Sequence, residues 1–101
     1  MKKENTVCVT IDGKTKHFKK KIVTIGRNES NNVVLSDQSV SRRHCVIVNY
    51  HRDVWLYDLN STLGTVVDGQ RVQEKIFLLG IHGVTVGNAQ IQISSEEGLL
   101  I

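Results

Sequence analysis

Apolar and polar residues alternate with a period of two in short runs along the chain: Val7-Val9-Ile11, Ile22-Thr24 with Val23-Ile25, Val46-Val48 with Cys45-Ile47, Val54-Leu56 with Trp55-Tyr57, Val84-Val86, and Ile91-Ile93. That period belongs to strands, whose side chains point to opposite faces in turn, and no comparable stretch shows the helical period. Turn chemistry separates the runs. Asp12-Gly13 and Asp68-Gly69 are hairpin dipeptides, His51-Arg52-Asp53 is a short connector, and Gly87-Asn88 precedes the last run. Many short strands spaced by roughly 8 to 12 residues predict an all-β fold, a two-sheet β-sandwich.

Composition points the same way. Alanine occurs once, at Ala89, whereas β-branched Val and Ile, which suit a pleated half-buried surface, are abundant. A chain of 101 residues, 40% hydrophobic and 23% charged, has the size and balance of one folded domain rather than a disordered segment. The longest apolar run, such as Cys45 to Val48, is far below the roughly 20 residues a bilayer-spanning helix needs, and Met1-Lys2-Lys3-Glu4-Asn5 leads into no signal core. No membrane partner and a cytoplasmic location are expected. The stretch Ser95-Glu96-Glu97-Gly98 breaks the strand pattern, so the domain is expected to span residues 1–94, with 95–101 a polar tail or the start of a linker. Leu99-Leu100-Ile101 ends on apolar residues, which hints at an excised piece of a longer protein.

Cys8 and Cys45 lack a CxxC partner and lie in strand-like apolar surroundings, so both read as small buried thiols. Net charge is +3, and much of the excess sits in Lys14, Lys16, Lys19, Lys20 and Lys21. These lysines suit a solvated strand edge kept from aggregating better than a nucleic-acid patch, because only Phe18 is near enough to stack on bases. His17, His51 and His82 are scattered without metal-ligand spacing, so neither a metal nor another cofactor is expected.

Three segments carry too many polar residues for tight turns: Gly26 to Asn32, Ser36 to His44, and Asp58 to Thr65. They offer Arg27, Arg42 and Arg43 as cations, Ser41, Ser61 and Thr62 as hydroxyls, and several asparagines. Such a set suits an anion with several acceptor oxygens, and a phosphorylated side chain brings about −1.5 to −2 charges and three strong acceptors. From the residues alone, Arg27 could equally lie over an aromatic ring or pair with Asp37 or Asp58. Ser41-x-x-His44 invites a nucleophile-and-base reading, but a serine beside two arginines is better suited to donating to an anion than to attack. Asp53 and Asp58 read as turn and loop caps.

Gly26-Arg27 after a strand, Ser41-Arg42-Arg43-His44 before a strand, and Asp58-Leu59-Asn60-Ser61-Thr62-Leu63-Gly64-Thr65 followed by Asp68-Gly69 resemble the ordered signature of the forkhead-associated (FHA) domain, from about Val23 to Ser94. The resemblance implies a sandwich of about eleven strands that binds phosphothreonine peptides through loops at one end. It implies that Arg27 grips the phosphate, that Ser41 donates its hydroxyl to a second phosphate oxygen, and that Arg42 adds its amide or guanidinium. Thr62 falls in the loop that contacts the phosphorylated residue and the peptide main chain. Gly26, Gly64 and Gly69 would hold loop shape, and His44 would be a scaffold residue tying loops together.

Leu63 departs from the family pattern, which usually has an asparagine whose amide bonds the ligand backbone. Leucine cannot donate, so weakened or altered peptide reading is expected rather than none. The function that follows is a non-enzymatic signalling adaptor for a phosphothreonine-containing partner, a kinase or kinase substrate. The alternative is a phosphate-independent dimerisation or docking domain, with a homo-oligomer allowed for and nucleic acid disfavoured.

Overall fold

The computed structural model describes residues 5–51 and 53–96. The tail beyond Glu96, including the apolar Leu99-Leu100-Ile101, lies outside the described residues. Eleven strands follow one another: β1 (Thr6–Ile11), β2 (Lys14–Phe18), β3 (Ile22–Gly26), β4 (Val33–Val34), β5 (Cys45–Tyr50), β6 (Asp53–Asp58), β7 (Thr65–Val67), β8 (Gln70–Arg71), β9 (Lys75–Phe77), β10 (Ile81–Val86) and β11 (Ala89–Glu96). They form two sheets, ordered β2-β1-β11-β10-β7-β8 and β4-β3-β5-β6-β9. Every pairing is antiparallel except β3 with β4.

The six alternating runs of the sequence are β1, β3, β5, β6, β10 and β11. Their inward positions meet in one apolar layer that includes Val7, Val9, Val23, Ile25, Ile47, Leu56, Val84 and Ile93, all essentially buried. Burial of such side chains, each contributing about 1.5–3 kcal/mol, is what fixes the register, since a slip by one residue would turn the whole set outward. Cys45 is fully buried and Cys8 nearly so, as the sequence reading expects. Of the lysine-rich segment, Lys14 and Lys16 stand exposed on the edge strand β2 with His17, while Lys19, Lys20 and Lys21 lie in the connector to β3. Asp12-Gly13 and Asp68-Gly69 both have positive φ (50° and 80°, 49° and 83°), the geometry of two-residue hairpins that match strand twist.

Two expectations shift. Strand β11 runs through Ser95 and Glu96, which pair with Val7 and Thr6, two residues past Ser94. Backbone pairing with β1 needs no apolar side chain, so polar composition alone does not end the strand. Asp53, read from the sequence as a turn cap, is the first residue of β6, paired with Tyr50.

Candidate functional site

The three polar segments lie together at one end of the sandwich because main-chain bonds stitch them. The Arg27 amide donates to the Ser41 carbonyl at 3.0 Å, the Asn28 amide to the Arg42 carbonyl at 3.2 Å, the His44 amide to the Ile25 carbonyl at 3.0 Å, and the Leu59 amide to the His44 carbonyl at 2.9 Å. Gly26 makes the second of these approaches, that of the Arg42 carbonyl, sterically feasible. A Cβ there would stand 2.2 Å from the Arg42 carbonyl oxygen and 2.8 Å from Asn31 Nδ2. Asn31 is buried, and its Nδ2 donates to the carbonyls of Asn28 (2.7 Å) and Arg42 (2.8 Å), bolting the β3–β4 loop to the segment before β5.

His44 is fully buried and joins the second segment to the third. Its Nδ1 accepts from the Ser41 amide at 3.0 Å, so the ring proton is on Nε2, which donates to the Gly64 carbonyl at 2.8 Å. Both ring nitrogens are thereby committed to backbone, and His44 is unavailable as a base for Ser41. The same Gly64 carbonyl also accepts from the Gly87 amide at 3.2 Å.

Asp58 organises the third segment from within. It accepts from the Ser61 amide (3.1 Å), the Ser61 hydroxyl (2.7 Å) and the Thr65 hydroxyl (2.7 Å). Burial pushes its carboxyl up, but the hydroxyls of Ser61 and Thr65 and the Ser61 amide outweigh that and hold it below the usual Asp value. Ser61 Oγ in turn accepts from the Gly64 amide at 3.0 Å. The Ser61 hydroxyl, counted in the sequence as one of the groups for an anion, is therefore spent inside the loop.

Arg27, Ser41 and Thr62 are brought together. Arg27 is exposed, and its Nε donates to the Val40 carbonyl at 3.0 Å, so the fork is anchored by one nitrogen while its two terminal amino groups remain for a ligand. It pairs with neither Asp37 nor Asp58. Asp37 instead accepts from the hydroxyl (2.5 Å) and amide (2.8 Å) of Ser39, which hold its carboxyl below the ordinary value. Ser41 Oγ accepts from the Thr62 amide at 3.1 Å, which leaves its own proton to donate elsewhere. Arg42 and Arg43 have exposed side chains, and the Arg42 carbonyl belongs to the scaffold. Leu63 is 49% exposed at the same rim.

Gly64 has a φ of 88°, a conformation that favours glycine, and Gly69 has the same need at its turn, where no atom lies near its missing side chain. Gly69 sits at the far end of β7 from Gly64, so it shapes the β7–β8 hairpin and not the loop cluster itself. Two contributors escaped the sequence reading. Asn31 was one asparagine among several, and its burial had no local signal. Arg71 returns along β8 to lie against Gly64: a Cβ on that glycine would stand 2.7–2.8 Å from Arg71 Cζ, Nη1 and Nη2.

The FHA domain family profile matches residues 23–80, a span that contains every residue of this cluster from Gly26 to Arg71. No curated protein matches the sequence. Among solved structures, the FhaA FHA domain complexed with the intracellular domain of Rv3910 is 31% identical, with a TM-score of 0.79 over 86% of this chain and 98% of that one. A structure from a structural and functional analysis of phosphothreonine-dependent FHA domain interactions is 30% identical, with a TM-score of 0.81 over 88% of this chain and 95% of that one. Mycobacterium tuberculosis EmbR, in complex with a low affinity phosphopeptide, shares the fold at a TM-score of 0.83 and 23% identity, over 88% of this chain and 24% of that one. With more than half of its length matched by the family profile and 86–88% of it superposing on solved members, this chain belongs to the forkhead-associated (FHA) domain family.

Proposed function

We propose that this domain is a non-enzymatic adaptor that captures a phosphothreonine-containing segment of another protein at the rim formed by Arg27, Ser41, Arg42, Thr62 and Leu63. The observation that carries the reading is the shared arrangement of Arg27 and Ser41. Each spends part of its hydrogen-bonding capacity on its own scaffold, at the Val40 carbonyl and the Thr62 amide, and keeps donors for a ligand. In this reading the terminal amino groups of Arg27 take two phosphate oxygens as a fork and the Ser41 hydroxyl donates to a further one. Arg42 adds positive charge. Thr62 and Leu63 face the residues beside the phosphothreonine.

Phosphothreonine is made by protein kinases, so the partner is a kinase or a kinase substrate and the encounter takes place in the cytoplasm. The FhaA and EmbR structures, which hold a protein partner and a phosphopeptide respectively, support this class of ligand.

Titration calorimetry with one peptide in phosphorylated and unmodified form tests the proposal. Charge-assisted hydrogen bonds are worth about 1.5–3 kcal/mol each, so losing the fork in Arg27→Ala should weaken phosphopeptide binding by about 100-fold or more, and Ser41→Ala by about 10-fold. Equal affinity for the two peptides would overturn the reading.

A further inference from the structure

The geometry points to Arg71 as a second cationic contact for the ligand, one that selects phosphothreonine segments carrying an acidic side chain close to the phosphorylated residue. This inference rests on the phosphothreonine reading of the rim and adds a specificity element to it.

The β7–β8 hairpin delivers Arg71 there. Val66 pairs with Arg71, Val67 with Gln70, and the Val72 amide donates to the Thr65 carbonyl at 2.9 Å, so the chain that leaves Gly64 returns beside it. The position a Cβ would take on Gly64 is 2.7 Å from Cζ, 2.8 Å from Nη1 and 2.8 Å from Nη2 of Arg71. Nearly equal distances to the central carbon and both terminal nitrogens mean that the guanidinium plane faces the glycine and stacks flat on it. The N–H bonds of a guanidinium lie in its plane, so stacking consumes none of them. Nη1 makes a single long contact of 3.4 Å with the Leu63 carbonyl, beyond the usual 2.7–3.2 Å range.

Arg71 is exposed, and among the described residues no carboxylate lies within ion-pair distance of it. The nearest acid on its own hairpin, Asp68, is occupied by His82 Nδ1 at 2.6 Å and the Gly83 amide at 3.0 Å. Gly64 itself is held through its carbonyl by His44 and Gly87. A flat, positioned and under-used fork therefore stands one residue from Leu63, at the place where this chain offers an apolar side chain instead of a donor. A carboxylate is the group whose two oxygens match that fork. The ligand class is accordingly an acidic phosphothreonine peptide, and its Asp or Glu pairs with Arg71 while the phosphate occupies Arg27 and Ser41.

The test uses a phosphothreonine peptide series in which a single Asp, or Asn as its uncharged match, is placed at each of the flanking positions in turn. Binding is measured by fluorescence anisotropy to the intact chain and to Arg71→Gln, with melting curves to verify that the exposed substitution leaves the fold unchanged. At one position or more, Asp should bind the native chain about 3- to 5-fold tighter than Asn, and Arg71→Gln should abolish that gain while leaving the Asn peptide within about twofold. An Asp gain that survives Arg71→Gln, or no gain at any position, overturns the role of Arg71. Failure of the underlying reading looks different: the native chain would then bind no phosphopeptide better than its unmodified form.

Discussion

His44→Ala removes an imidazole that is fully buried and bonded at both nitrogens. The Ser41 amide loses its acceptor, and an unsatisfied buried donor costs about 1–3 kcal/mol. The Gly64 carbonyl fares better because it keeps the Gly87 amide. The space left by the ring adds roughly another 1 kcal/mol, since the surrounding backbone can collapse only in part. The total, about 2–4 kcal/mol, is a large share of the roughly 5–15 kcal/mol that holds a domain of this size together. Urea denaturation followed by Trp55 fluorescence measures it. Binding should weaken as well, although the histidine touches no ligand, because Ser41 and Gly64 lose their common anchor. His44→Asn supplies the control: its Oδ1 falls near the position of Nδ1 and can accept from the Ser41 amide, so it should recover about 1 kcal/mol relative to alanine. A stability for His44→Ala within about 0.5 kcal/mol of the native chain, which is the scatter of neutral surface changes, would refute the bridging argument.

Gly26→Ala places a methyl 2.2 Å from the Arg42 carbonyl oxygen, a backbone atom that cannot move without breaking the Asn28 and Asn31 bonds to it, so the variant should lose about 3 kcal/mol or more in the same urea experiment. Asp58 is held below the ordinary value of 3.8, so its contribution to stability is complete above that pH and fades as the pH falls through its lower folded value; Asp58→Asn should flatten stability against pH in that acidic window, as read by thermal melts. Burial pushes the Cys45 thiol up to about 12, so iodoacetamide at pH 8 should label Cys45 only after unfolding, as located by peptide mass spectrometry. Leu63→Asn, which restores the donor usual in the family, should tighten phosphopeptide binding by about 3- to 10-fold in calorimetry, the worth of one ordinary hydrogen bond.

The long strands were legible in the sequence because inward positions such as Ile47 and Leu56 or Ile91 and Ile93 must repeat every second residue to reach the core. Strands β4, β7, β8 and β9, of two or three residues each, are too short to display a period, and they exist because a neighbouring strand offers them backbone partners. The same division runs through the site. Arg27, Ser41 and His44 could be picked out by type and order, and the turn at Asp68-Gly69 by its need for positive φ. The burial of Asn31, the internal use of Ser61 and the return of Arg71 to Gly64 depend on contacts between segments far apart in sequence. No window along the chain contains that information.

In the proposed site, the side chains offered to a ligand are also tied to the frame. Arg27 uses Nε on Val40, Ser41 uses its oxygen on the Thr62 amide, and Arg71 rests its face on Gly64. In each case the tie consumes a group different from the one left for the ligand: a third nitrogen of the fork, a lone pair instead of a proton, a π face instead of N–H bonds. Ordering a long side chain on binding costs about 0.5–1.5 kcal/mol, and a side chain already held by its frame is spared much of that cost. Two arginines and a serine thus stand ready before any ligand arrives. On the proposed reading, that pre-ordering would offset part of what is forgone at Leu63. It also explains why the hairpin matters to the proposed site: the left-handed turn at Asp68 and Gly69 sends β8 back antiparallel to β7, and Arg71 can reach Gly64 only because the chain reverses there.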